Sequence, residues 1–195
     1  MEIRAVVGEV LWKRYFSFAF VRNPYERAFS AYYFLKRMRA EKQLEALAPI
    51  EQCETFSDFV LSDYFKSDGV DRILVSQFSR LRRNRMTNEL GVDYVGKVEN
   101  IEHCIREILK TVTSGINKPI VEQEMPTLNR SVGSKETVWP ELAENPDAEE
   151  AIYQKYEIDF RQFGYPRRAN VPDTGHTKSL QPAPEGTKSS SKGTG

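Results

Sequence analysis

Residues 15–36 read YFSFAFVRNPYERAFSAYYFLK, an apolar run that ends in an Arg and turns directly into a capped helix. Tyr15 to Val21 are nearly all aromatic or β-branched, with only Ser17 and Ala19 small, which predicts a strand covered on both faces. Arg22 stands at its C-terminal end. Asn23 is a favourable N-cap, Pro24 suits the first helical position, and Glu26 falls where it can complete a capping box. A helix start presents unpaired N–H groups and a partial positive charge, to which Arg22 adds a full charge and a planar donor fork. The stretch therefore predicts an anion site at a strand-to-helix turn. Arg27 and Ser30 share one helix face, while Ala28, Phe29, Tyr32 and Tyr33 favour the buried side.

The segment resembles the 3'-phosphate-binding motif of sulfotransferases that use PAPS (3'-phosphoadenosine 5'-phosphosulfate), in the group that includes carbohydrate sulfotransferases (sulfotransferase family 2-like). In that family a strand delivers an Arg, and a Ser eight residues later joins it on the nucleotide's 3'-phosphate; Arg22 and Ser30 have this spacing. The aromatic strand, the RNPYER turn and the SAYYF continuation all agree. An Arg and a Ser at that spacing carry nothing alone, and a solvated Arg with a Ser filling a helix position is the plain alternative.

Two further segments extend the likeness. Residues 92–112, VDYVGKVENIEHCIREILKTV, read as a short strand, a turn and a helix with Ile101, Cys104, Ile105, Ile108, Leu109 and Val112 on one stripe. They are similar to the family's segment in which an Asp, an aromatic and a GK.EN turn precede a helix. Residues 152–165, IYQKYEIDFRQFGY, place Ile152, Tyr156, Phe160 and Phe163 at helical spacing, with Asn145 and Pro146 starting the helix and Gly164 ending it. The Y..DF..FGY ending looks like the family's C-terminal helix.

The resemblance implies an α/β chain of the P-loop-like sulfotransferase fold, a parallel sheet flanked by helices. A length of 195 residues, 39% hydrophobic and 29% charged, suits one domain over residues 1–169. Residues 170–195, rich in Pro, Gly, Ser and Lys, read as a disordered tail. The formal net charge is zero, so bulk charge favours neither nucleic acid nor an acidic membrane surface. The basic run at 80–85, RLRRNR, with Lys36, Arg37 and Arg39, either faces an anionic acceptor such as a sulfated or carboxylated glycan or is a solvated loop. Cys53 and Cys104 are too few for a disulfide framework and read as buried thiols, and His103 and His176 do not suggest a metal site. No signal peptide or membrane span is visible, so a cytoplasmic location is expected, or the Golgi membrane for a eukaryotic relative whose anchor lies upstream.

Members of the family also carry a Gly- and Lys-containing loop that cradles the 5'-phosphosulfate. No such loop stands upstream of residue 15, and residues 2–12 resemble the helix leading into the 3'-phosphate strand. The expectation is an N-terminally truncated chain lacking the first strand-loop-helix unit, with uncovered sheet and a tendency to self-associate. In the intact family an acceptor hydroxyl attacks sulfur in line, a base takes its proton and the nucleotide's 5'-phosphate leaves. The resemblance thus implies PAPS as donor, a hydroxyl acceptor such as a carbohydrate, no metal, and Arg22 and Ser30 as nucleotide ligands. The catalytic base is left unassigned between His103 and a carboxylate such as Glu99. An inactive remnant acting as a nucleotide-binding or interaction module is the alternative; an RNA-binding domain is disfavoured by the zero net charge.

Three more features complete the reading. Thr55 caps a helix carrying Phe56, Phe59 and Val60, with Asp58 in capping-box position. Residues 71–81, DRILVSQFSRL, look loosely like a family segment with a Gln before an apolar run; where a His often stands four residues earlier, this chain has Ile73. Residues 126–136, PTLNRSVGSKE, form a basic loop that either closes over the nucleotide or is an ordinary connection.

Overall fold

The computed structural model describes residues 6–67, 71–84, 86–114 and 135–167. The expected tail over 170–195 and the basic loop up to residue 134 lie outside the described residues. A short helix α1 (Glu9–Trp12) leads to strand β1 (Phe18–Val21), which feeds the long helix α2 (Pro24–Lys42). The crossover continues through α3 (Ala48–Glu51), α4 (Phe56–Leu61), α5 (Asp63–Lys66) and α6 (Gln77–Leu81), with 3-10 turns at Glu45–Leu47 and Arg72–Leu74. Strand β2 (Tyr94–Lys97) then runs through a 3-10 turn, Val98–Asn100, into α7 (Ile101–Thr113). Helices α8 (Lys135–Glu144) and α9 (Pro146–Phe163) close the described chain.

The strands pair in parallel, Phe18 opposite Tyr94 through Val21 opposite Lys97. Their register is fixed before the ladder begins. The Asp93 carboxylate accepts from the Ser17 backbone N–H at 2.8 Å and its hydroxyl at 2.7 Å, and the Ser17 carbonyl accepts from the N–H groups of Asp93 and Tyr94. Gly96 fixes it again from the side. A Cβ at Gly96 would fall 2.8 Å from the Phe20 ring and 2.9 Å from Cys104 Cβ, so α7 crosses β2 at a distance only glycine permits. This is the α/β class that the sequence predicts, a parallel sheet flanked by helices; the sheet has two strands among the described residues.

An aromatic core ties the crossover together. Ring centroids lie 5.1 Å apart for Phe29 and Phe56, 5.2 Å for Phe59 and Phe65, 5.8 Å for Phe65 and Tyr156, and 4.9 Å for Tyr25 and Phe160. The series runs from α2 through α4 and α5 to α9, and each of these side chains is buried. The predicted caps hold. Asn23 accepts from the Tyr25 N–H, Asn145 from the Ala148 N–H, Thr55 and Asp58 form a reciprocal capping box, and Gly164 closes α9 in the left-handed region at φ 62°.

Three expectations change. The strand is shorter than residues 15–21, and Phe18 is 48% exposed rather than covered on both faces. On α7 only Cys104 and Ile108 are buried, while Leu109 and Val112 stand exposed, because the narrow sheet covers one end of the stripe. Tyr33, expected on the buried side of α2, is 37% exposed, while Arg27 and Ser30, on one face, are both half-buried.

Candidate functional site

The ladder ends at Val21 opposite Lys97, so Arg22 is the first residue beyond the paired strand. Its backbone is nevertheless held. The Arg22 N–H donates to Gln77 Oε1 and the Gln77 amide donates back to the Arg22 carbonyl, both at 2.8 Å. A side-chain amide here does what a neighbouring strand would do. One residue on, the Asn23 N–H donates to Glu99 Oε1 at 2.6 Å, and the other Glu99 oxygen accepts from the Tyr165 hydroxyl at 3.0 Å. Lys97 Nζ lies 4.4 Å from the centre of the Tyr165 ring. The turn from β1 into α2 is thus gripped by Gln77 and Glu99.

Glu26 does not complete the predicted capping box. Its carboxylate sits 3.4 Å from Arg22 Nε, with side-chain exposures of 6% for Glu26 and 33% for Arg22. Attraction to the Arg22 charge holds it there, and Glu99, distant in sequence, supplies the acceptor for the Asn23 N–H. Ser30, two turns into α2 by the helix repeat, is half-buried, so one strand-turn-helix unit carries both predicted ligands.

Beneath the turn lies a buried polar scaffold. Asp159 on α9 is fully buried, and its carboxylate accepts from the N–H groups of Gln77 at 2.8 Å and Phe78 at 2.7 Å. Arg27 Nη2 donates to the carbonyls of Ile73 and Val75, both at 2.6 Å, and Nη1 lies 4.0 Å from Asp159. The Tyr156 hydroxyl donates to the Leu74 carbonyl at 3.1 Å, and the Arg27 guanidinium stacks 5.0 Å from the Tyr156 ring centre. Segment 73–78 is therefore pinned at carbonyls and N–H groups from α2 and α9 together. Burial pushes the Asp159 carboxyl above the usual carboxylate range, against the pull of the two N–H donors and Arg27. Burial likewise lifts the Tyr156 hydroxyl to about 12, against Arg27.

Other predicted features sort themselves out. Both oxygens of Glu99 are engaged in holding the turn, and His103 is exposed on α7. Ile73, where a His was sought, contributes its carbonyl to Arg27. Arg39 is committed to Glu51 at 2.8 Å and to Glu45, so it is not part of an open basic surface. Arg83 pairs with Glu89 at 3.8 Å. Cys53 and Cys104 are free, buried thiols. Among the described residues no cluster of His, Cys, Asp or Glu could hold a metal ion, and no helix is long and apolar enough to cross a membrane.

Sequence reasoning passed over the roles of Gln77 and Asp159, although both stand in quoted motifs. The signal for Asp159 was present: a carboxylate beside Phe160 on the stripe of Tyr156 and Phe163 must be buried, and a buried carboxylate needs partners. Gln77 gave no such signal, since its partner is a backbone.

A cationic side chain and the start of a long helix meet at the C-terminal end of a parallel strand, where open α/β sheets place their ligands. An uncharacterized protein of Archaeoglobus fulgidus is 29% identical over 110 residues, which cover 56% of this chain and 78% of that protein. No solved structure matches this chain. The model of the sulfotransferase family matches residues 4–166, the span that contains the β1 to α2 turn, the Asp93 to Asn100 segment and the Tyr156 to Tyr165 ending, and the chain belongs to that family.

Proposed function

We propose that the turn between β1 and α2 binds the 3'-phosphate of PAPS, with Arg22 and Ser30 as its ligands, and that the protein is a PAPS-dependent sulfotransferase acting on a hydroxyl such as that of a carbohydrate. The observation that carries the reading is the placement of Arg22, anchored through both backbone polar groups by Gln77 and partly exposed where α2 begins. The residues fit a phosphate. The contact with Glu26 uses Nε alone, and a guanidinium has further donors in the planar fork that suits phosphate oxygens. The Ser30 hydroxyl is a neutral donor on the helix that Arg22 leads into.

When bound, PAPS would supply the sulfuryl group: the S–O bond to the acceptor forms as its hydroxyl gives up its proton to a base and the 5'-phosphate leaves. The part of this chain's residues is to hold and orient the nucleotide's other end, so that binding energy gained at the 3'-phosphate positions the reacting end. Glu99 and His103 take no part in the proton transfer in this account. One is engaged on both oxygens, and the other lies on the exposed face of α7.

The test is transfer of a labelled sulfuryl group from PAPS to a panel of glycans by the full chain. Label in the glycan fraction, lost in Arg22→Ala and Ser30→Ala, supports the reading. Nucleotide binding without transfer to any acceptor would leave the alternative, a nucleotide-binding module.

A further inference from the structure

We propose that Gln77 is a positioning residue of the nucleotide site, acting through Arg22; the proposal rests on the reading of Arg22 as a phosphate ligand. Arg22 follows the last ladder pair of β1, so its N–H and carbonyl receive nothing from β2. Those groups alternate along a strand. The Ser17 carbonyl faces β2, and the even-numbered residues, Arg22 among them, turn their backbone groups to the opposite edge. Gln77 meets Arg22 on that edge with one acceptor and one donor, each at 2.8 Å. The primary amide sets an acceptor and a donor side by side on one planar group, matched to an adjacent N–H and carbonyl; Asn carries the same group on a shorter stem.

The clamp is itself anchored. The Gln77 N–H and the Phe78 N–H are fixed on the buried Asp159 carboxylate, and the carbonyls of Ile73, Leu74 and Val75 on Arg27 and Tyr156. Gln77 therefore transmits the rigidity of the α2 and α9 packing to the backbone of Arg22. Glu99 grips the next residue through the Asn23 N–H. With the backbone held on both sides, the Arg22 side chain starts from a fixed point, so less freedom is lost when an anion binds.

Calorimetry with PAP (3'-phosphoadenosine 5'-phosphate) on the full chain, as a double-mutant cycle of Arg22→Ala and Gln77→Ala, tests this. Arg22→Ala alone tests the underlying reading: if PAP affinity does not fall, the phosphate site is misplaced and the proposal falls with it. If it does fall, Gln77→Ala is expected to weaken PAP by about tenfold in the wild-type background and by less than about twofold beside Arg22→Ala. Gln77→Glu keeps the acceptor for the Arg22 N–H and turns a carboxylate oxygen toward the carbonyl. Those two oxygens repel, so it should weaken PAP at least as much as Gln77→Ala does, and Gln77→Met, of similar length and with no amide, guards against loss of folding in the Ala variant. Thermal unfolding of each variant supplies the contrast. A purely structural Gln77 would lower the melting temperature and leave the PAP affinity of the folded chain intact, which would overturn the proposal. Equal losses in both backgrounds would overturn it too, because Gln77 would then act independently of Arg22.

Discussion

Replacing Asp159 with Ala should cost more stability than any other single change beneath the site. The carboxylate is fully buried, accepts two backbone N–H groups at 2.8 and 2.7 Å and faces the Arg27 guanidinium at 4.0 Å. Truncation leaves both N–H groups without their acceptor and takes away the counter-charge that faces Arg27, the situation in which breaking a buried ion pair costs about 3–5 kcal/mol. Against a typical domain stability of about 5–15 kcal/mol this is a large fraction. With an m-value of about 1–3 kcal/mol/M in urea, the denaturation midpoint should fall by roughly 1–5 M at unchanged m. Asp159→Asn keeps the volume and one acceptor, so its cost should be smaller, about 1.5–3 kcal/mol. Urea unfolding followed by circular dichroism reads both. A loss below about 1 kcal/mol for Asp159→Ala at the same m-value would refute the claim that this carboxylate holds segment 73–78 in place.

Other expectations follow from the packing and the charges. Gly96→Ala would drive a methyl to within 2.8 Å of the Phe20 ring and 2.9 Å of Cys104, and should destabilise by about 1–3 kcal/mol in urea unfolding. Thr55→Ala opens the reciprocal box with Asp58 and should cost about 1 kcal/mol in the same assay, with PAP affinity unchanged. Burial raises the hydroxyls of Tyr64 and Tyr156 from 10.0 to about 12, so as pH climbs above 10.0 the unfolded chain loses protons that the folded chain keeps. Their contribution is complete below pH 10.0 and is lost as pH rises through about 12, so melting temperatures should drop across that window, with tyrosinate absorbance rising as the chain unfolds. Tyr156→Phe should flatten part of the drop.

Local chemistry was the legible part of this sequence. Asn23, Thr55, Asn145 and Gly164 act within a few residues of themselves, so their caps could be read directly and the structure reproduces them. The parallel class followed from the family resemblance of the quoted motifs, and Gly96 stood in one of them. What could not be read depends on distance along the chain. Glu26 satisfies every local rule for the capping box, yet Arg22 draws it away and Glu99 takes its place. Spacing places Arg27 on a helix face with Ser30 but says nothing of its partners, which are carbonyls of a remote segment. The strand's covering was overestimated for the same reason: Phe18 has the right composition for a buried position, and burial depends on what else packs there.

The central claim is that the turn from β1 to α2 reads a 3'-phosphate, and the most direct test compares PAP with adenosine 5'-phosphate, which lacks that group, by calorimetric titration of the full chain. PAP should bind clearly more tightly, with the difference between the two nucleotides lost in Arg22→Ala. Equal affinities in the wild type, or a preference for PAP that survives Arg22→Ala, would contradict it.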